Sequence, residues 1–425
     1  MSGVRLNIMP ANEAPRRVWQ TRRTPPLDLL ALDAVRDDFS LSVHVSLDRL
    51  EDEWRALEQG SQNSLHQSFD WCAAWAATHE NQLLLVRGRV GQDTAFILPL
   101  ELIRGRFFQT VRFIGSDHSN INTGIFARDF DPAADGELAA KLISELSLKL
   151  ARLADIVTLE KIPLAWRGFQ HPFAALPAVR NQNSSYQLPL FESFEKTLTQ
   201  VNAKRRRKKF RVSEKRLQAL GGYEYVVATS HDESRRLLCT FFQQKAERFK
   251  TMGLPNVFQD AETQAFFKDL AARPREHEHR PLELHAIRLK GENAGRVIAI
   301  AGVSRKGDHV ICQFGSIDET LATDCSPGEF LFHLMIERCC REGAALFDFG
   351  IGDQPYKRSW CTVETAQYDI VLPLTARGRL AAYIHRTIVR SKAAIKKNRR
   401  IYNTLQKIRQ QRQTSAKTTD TDAEE

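Results

Sequence analysis

The chain has 425 residues, 42% apolar and 26% charged, with a formal net charge of +10. That length holds two or three domains, and that balance is the composition of a globular protein. No run of about 18 apolar residues occurs, which excludes a transmembrane helix.

The charge is unevenly placed. Arg377–Arg412 holds twelve Lys or Arg and no acid, and Lys204–Arg216 holds nine against one Glu. The body outside both blocks is therefore acidic, at about −10, so two local basic patches carry the charge. The seven cysteines form no Cys-x-x-Cys pair and read as reduced, mostly buried thiols of a cytoplasmic protein. The opening residues lack the apolar core and small-residue cleavage site of a secretory signal.

Residues 1–38, rich in Pro and Arg, read as a disordered leader. Alternation predicts a strand over Leu41–Val45, and apolar spacing predicts helices over Asp48–Leu57 and Phe69–Ala77. Three strands follow, Leu83–Val90, Ala95–Ile103 and Thr110–Ile114. Then come a helix over about Asp135–Leu153 and a strand over Asp155–Glu160.

One long helix is expected over Ser193–Leu220, carrying the first basic block. The order then recurs, with a strand Tyr223–Ala228, helices Asp232–Phe249 and Ala261–Ala271, and strands Leu282–Leu289, Val297–Ser304 and His309–Phe314. A helix from Gly328 and strands Ala345–Phe349 and Gln367–Leu372 complete the second half. The shared order predicts a duplicated α/β domain, 39–190 and 191–375. A basic amphipathic helix over 376–412 follows, with Leu380, Tyr383, Ile384 and Ile388 roughly on one face, then a disordered tail, 413–425.

His309–Trp360 is the most informative stretch. Its strand, helix and strand form a βαβ unit, so the two strands should be parallel. Ser326-Pro327-Gly328 opens the helix, with Pro in its first turn. Free amides and the positive dipole end make that start a candidate phosphate cradle. The second strand runs into a polar loop with Gly350, Gly352, Asp353, Tyr356 and Lys357. Ligands of such units sit beyond the carboxyl ends of the strands, where both features fall.

This element order resembles the GNAT acyltransferase fold. Three stretches resemble, more narrowly, the CelD-type acetyltransferases associated with cellulose biosynthesis. They are Gln67–Trp71 with Phe113–Ser116, the basic helix KRRRKKFRVSEKRL with Gly221-Gly222, and Ser326-Pro327-Gly328 with Phe347–Asp353, Tyr356, Lys357 and Trp360. The tandem fold is also similar to that of Fem-type aminoacyltransferases. The resemblance implies two tandem GNAT-like domains, the second catalytic and the first supporting. It implies acyl transfer from acetyl-CoA or another acyl-CoA to a saccharide or amine acceptor, in polysaccharide biosynthesis. The Fem-type alternative replaces the donor with a charged tRNA, held by the basic entry helix. The other alternative is a catalytically inert module of a polysaccharide-export complex. One departure counts against the donor: the superfamily's Q/R-x-x-G-x-G/A loop is absent from SIDETLATDCSPGEF, which has one glycine and no basic residue.

Acyl transfer needs a donor cradle, an oxyanion donor, a base and an acid. Ser326, Pro327 and Gly328 are the cradle candidates. Gln313 and Gly315 are expected at the end of their strand, where a glycine lets a ligand approach the backbone, as suits an oxyanion N–H, and a bulge explains it equally. Tyr356 is the candidate acid and Asp353 the candidate base, with Asp348 in reserve. Lys357 reads either as a phosphate ligand or as the partner of an acid. Each of these also reads as a structural tie, and their clustering raises them. The histidines show no metal-binding spacing beyond His277-x-His279 in a polar loop, so no metal is expected. The basic C-terminal helix has the pattern of an interfacial helix on anionic lipid, with packing on the body as the alternative.

Overall fold

The computed structural model describes residues 39–130, 136–274 and 280–397. The expected leader, the tail, the end of the basic helix, and His277 and His279 lie outside the described residues.

The first half runs β1 (Phe39–His44), α1 (Glu51–Glu58), α2 (Phe69–Thr78), β2 (Gln82–Val90), β3 (Asp93–Arg104), β4 (Gln109–Phe113) and β5 (Ile125–Phe126). It continues through α3 (Gly136–Leu150), β6 (Ile156–Ile162), β7 (Ala165–Trp166), β8 (Phe169–Gln170), β9 (Ala178–Arg180) and β10 (Ser185–Pro189). Next come α4 (Phe194–Leu198), α5 (Ala203–Ala219), β11 (Tyr223–Val227), α6 (His231–Met252) and α7 (Ala261–Ala272). Strands β12 (Arg280–Leu289), β13 (Val297–Lys306) and β14 (His309–Ile317) lead to α8 (Pro327–Arg341) and β15 (Leu346–Ile351). The chain closes with α9 (Pro355–Trp360), β16 (Val363–Thr365), β17 (Tyr368–Pro373) and α10 (Ala376–Lys397). Among the described residues no helix is long and apolar enough to cross a membrane.

Most expected elements are present within a few residues, with two differences that matter. The expected long helix over 193–220 is two helices. Asn202 interrupts it, its side chain accepting from Arg205 N at 3.0 Å and capping α5, the preferred use of Asn at a helix start. The expected loop after Gly352 contains α9, which begins at Pro355.

Two mixed sheets form. One has the order β1-β2-β3-β4-β6-β17-β9, with β5 on β3, and the other β11-β12-β13-β14-β15-β10-β16. The halves exchange strands. β10, from before residue 190, pairs antiparallel with β15, and β17, near the end, pairs antiparallel with β6. Each sheet thus takes a strand from the other half of the sequence.

Helix α3 packs on one face of the first sheet through Leu142, Leu146 and Leu150. Helix α8 packs on the second through Phe330, Leu331, Met335 and Ile336. Between the halves lies a third core, where Trp71 and Trp75 of α2 meet Phe266 of α7, each ring pair 5.1 Å apart. Large aromatic rings buried across a seam make separation of the halves costly.

Candidate active site

β14 and β15 are parallel, as the βαβ reading requires, but only over three pairs, ending at Ile311↔Asp348. Beyond that fork the strands diverge, and among the described residues β14 runs on from Cys312 to Ile317 without a strand partner on that side. Gln313 and Gly315 therefore lie within the strand, along its open edge, rather than at its end.

Asp348 shapes the fork. It is fully buried and accepts from Ser185 Oγ at 3.1 Å, Gln187 Nε2 at 2.8 Å and Gly350 N at 2.7 Å, with His309 Nε2 at 3.5 Å. Its bond to Gly350 N holds the left-handed turn, φ 70°, that carries β15 away from β14. Burial alone would raise the Asp348 pKa, but His309, Gln187 and Gly350 N outweigh it and hold the carboxyl below its usual range. A depressed folded value means that the carboxylate's contribution is present above the unfolded pKa and is lost as pH falls through the folded one. Asp348→Asn is therefore expected to cost on the order of 3 kcal/mol near neutral pH, as when one partner of a buried pair is removed. In thermal melts the gap to the parent protein should narrow as the medium is acidified. A parent-like melting temperature near neutrality would remove this role.

The first half supplies the other wall of the fork. Asn120 Oδ1 accepts from Ile351 N at 3.2 Å, and its Nδ2 donates to Gln313 Oε1 at 3.0 Å. His66 Nε2 lies 3.1 Å from the same oxygen. Burial lowers the His66 pKa to about 4, so the ring is neutral. The Asn120 bond occupies Gln313 Oε1 and leaves its buried Nε2 without a partner among the described residues. A Cβ on Gly350 would fall 2.5 Å from Asn120 Oδ1, so this position takes glycine for its contact as well as its turn.

Tyr356 and Lys357 lie in α9, beside the opening. The Tyr356 ring stacks on Phe332 of α8 at 5.5 Å and lies 6.1 Å from Phe349. Its hydroxyl makes no hydrogen bond among the described residues, and burial raises its pKa, so the phenol stays protonated. Lys357 is buried and donates to Ile351 O at 2.6 Å and Gly350 O at 3.3 Å. It forms no ion pair among the described residues, and burial lowers its pKa. Asp353 points elsewhere. It holds Arg358 in a two-toothed ion pair, with Arg358 Nη2 at 2.8 Å from Oδ2.

At the far end of the opening Ser326, in the left-handed region with φ 48°, leads into Pro327 at the first position of α8. The amides of Gly328 and Glu329 have no hydrogen-bond partner among the described residues. A Cβ on Gly328 would come 3.2 Å from Ile317 Cγ2, so this glycine brings the helix start close to the mouth of β14. Cations reach the start of α8 from outside the loop. Arg206 and Lys209 of α5 reach Glu329 at 3.0 and 2.7 Å, and Arg206 also lies 3.9 Å over the Trp360 ring. Lys204, Arg205, Arg207, Lys208, Arg211 and Lys215 remain exposed on α5.

A sheet forked between parallel strands with a helix start at its mouth is a recognisable frame, and residues 204–358 match the family model described as an acetyltransferase (GNAT) domain. This segment is a GNAT acetyltransferase domain. The crystal structure of FemX is similar over 82% of this chain and 100% of that chain, at 14% identity and a TM-score of 0.56. The C-terminal domain (DUF2156) of a putative lysylphosphatidylglycerol synthetase from Agrobacterium fabrum aligns over 81% of this chain and 97% of its own, at 10% identity and a TM-score of 0.45. A tandem GNAT protein from the clavulanic acid biosynthesis pathway aligns over 79% and 99%, at 12% identity and a TM-score of 0.41. No curated protein sequence matches the chain. The likeness to FemX is one of fold and spans both halves.

The first half has the same fork, closed by its own chain. β4 and β6 are parallel over three pairs, ending at Arg112↔Thr158. Beyond it, Lys161 Nζ donates to the carbonyls of Ser116 and Ser119 at 2.5 and 3.0 Å. The loop so tied is the one that sends Asn120 across to the GNAT domain's fork. His66 and Asn120 were not found by sequence reasoning. The only signal was the Asn- and Ser-rich run Ser116–Asn122.

Proposed function

We propose that the GNAT domain transfers an acyl group from a coenzyme A thioester to an amine or hydroxyl. The observation that carries this is the open edge of β14. It runs from an unpartnered amide, Gln313 Nε2, to the two free amides that begin α8. An extended pantetheine fits the edge, and its pyrophosphate fits the amides, the dipole and the cations of α5. In this reading Gln313 Nε2 donates to the thioester oxygen as charge develops, and the buried Lys357 ammonium favours that charge.

Burial pushes the Cys312 thiol up to about 11, which argues against an acyl-cysteine intermediate and for direct transfer. The acceptor's bond to the acyl carbon forms and the carbon–sulfur bond breaks. Tyr356 gives its proton to the departing thiolate, and its phenolate then takes the proton released by the acceptor. Asp353 stays outside the reacting set because Arg358 holds it. Asp348 acts by shaping the fork, and the first half, its own fork closed, by supplying Asn120 and His66.

The CelD-type likeness points to a saccharide acceptor in polysaccharide biosynthesis. A second donor, charged tRNA, is favoured by the exposed cations of α5 beside the helix start. Thiol release from acetyl-CoA and longer acyl-CoAs, followed with amine and sugar acceptors by mass spectrometry, tests the proposal. Acceptor-dependent thiol release is expected. Product formed only from aminoacyl-tRNA would transfer the assignment to the second donor.

A further inference from the structure

Helix α10 has two unlike faces. One packs on the first sheet through Ala381, Ala382 and Val389, with Gly378 so close that a Cβ there would fall 1.8 Å from Asp155 O. The other carries Leu380, Ile384 and Ile388, spaced by one helical turn, with Tyr383 beside them. They are 56%, 40%, 46% and 70% exposed. A helix held to its protein by one face has no packing reason to carry aliphatic side chains on the other. Exposed Arg377, Arg379, Arg390 and Lys392 accompany the stripe, and no acid occurs from Arg377 to Arg412.

The β3–β4 turn, distant in sequence, adds to this surface. Phe108 packs against the cluster that contains Ala381 and Ala382, so the turn adjoins α10. Its neighbour Phe107 is 67% exposed, just after exposed Arg104 and Arg106, with the Arg106 guanidinium 5.5 Å from its ring.

We infer that α10 and the Phe107 turn form a docking surface for an anionic lipid bilayer. Aliphatic and aromatic side chains enter the headgroup boundary, while the arginines and lysines around them meet lipid phosphates. Charge complementarity selects this occupant. A second copy of the chain would set the same unopposed cations against each other, whereas an anionic lipid surface neutralises them. The inference is independent of the chemistry at the fork.

Co-sedimentation of the full chain with vesicles of phosphatidylcholine, alone or with phosphatidylglycerol, tests it. Binding is expected only with phosphatidylglycerol, and it should fall with salt, because exposed charges are screened over roughly 8 Å at physiological ionic strength. The double variant Ile384→Ser/Ile388→Ser and the pair Arg379→Glu/Arg390→Glu should each lower binding about tenfold or more. Phe107→Ser should lower it as well, a check from an element that cannot unfold α10. Circular dichroism melts should match the parent, since these side chains are exposed. Binding that the charge reversals abolish but the serine substitutions leave intact would overturn insertion. Absence of binding at low salt would overturn the docking surface itself, as would a concentration-dependent dimer that the serine pair dissolves while vesicles are ignored.

Discussion

Tyr356→Phe is expected to lower kcat by about 10²- to 10⁴-fold, the range of lost acid–base catalysis, with donor affinity nearly unchanged. The ring packs against Phe332 and Phe349, and phenylalanine keeps both contacts. The hydroxyl has no protein hydrogen bond among the described residues, so its loss leaves no buried partner unsatisfied and should barely move the melting temperature. A purely structural Tyr356 predicts the reverse, a lower melting temperature with full activity per folded molecule. Measuring rate and melting temperature on the same preparation separates the two. A fully active variant would end the role of Tyr356 as acid.

Lys357→Met should cost about 10²- to 10³-fold in kcat/KM, comparable to removing one preorganised donor from an oxyanion site. Methionine keeps much of the buried stem and removes the charge. The variant should also lose some stability, because Gly350 O and Ile351 O lose their donor. That loss should be on the order of 1–3 kcal/mol. The informative quantity is therefore the rate per folded molecule below the melting transition. Should that rate stay at the parent value while the melting temperature falls, Lys357 is a backbone tie and no part of the chemistry.

Much of the second half was legible in the sequence. Pro327 marked the start of α8, the glycine at 343 its end, and the apolar runs on either side fixed a parallel βαβ unit. Tyr356 and Lys357 were recognisable because they follow that unit at its carboxyl end. The strand exchange was not legible. β10 and β17 have the same alternation whichever sheet they join, and only three-dimensional pairing decides between them. Nor were the first-half contributions. Asn120 lies in an irregular segment and His66 in a single 3₁₀ turn, both too short to carry a period, and their partners are 193 and 247 residues away. Asp353 was put forward for its place in the loop, yet Arg358, five residues on, captures it. The basic block at 204–216 was legible as a patch, but not that Arg206 and Lys209 turn inward to Glu329, because only the position of α8 reveals that.

The proposed transfer requires an acyl-CoA lying along the open edge of β14 with its pyrophosphate at the start of α8. Titration calorimetry with acetyl-CoA on the parent protein and on Gly328→Val tests this most directly. Valine would press on Ile317, 3.2 Å from the added Cβ, and cover the free amides without disturbing the fork. Saturable binding by the parent is expected, with an affinity about a hundredfold or more lower in the variant, the scale of two lost charge-assisted hydrogen bonds, at an unchanged melting temperature. Equal affinity in the two proteins, or a parent that binds charged tRNA at low salt but no acyl-CoA, would contradict it.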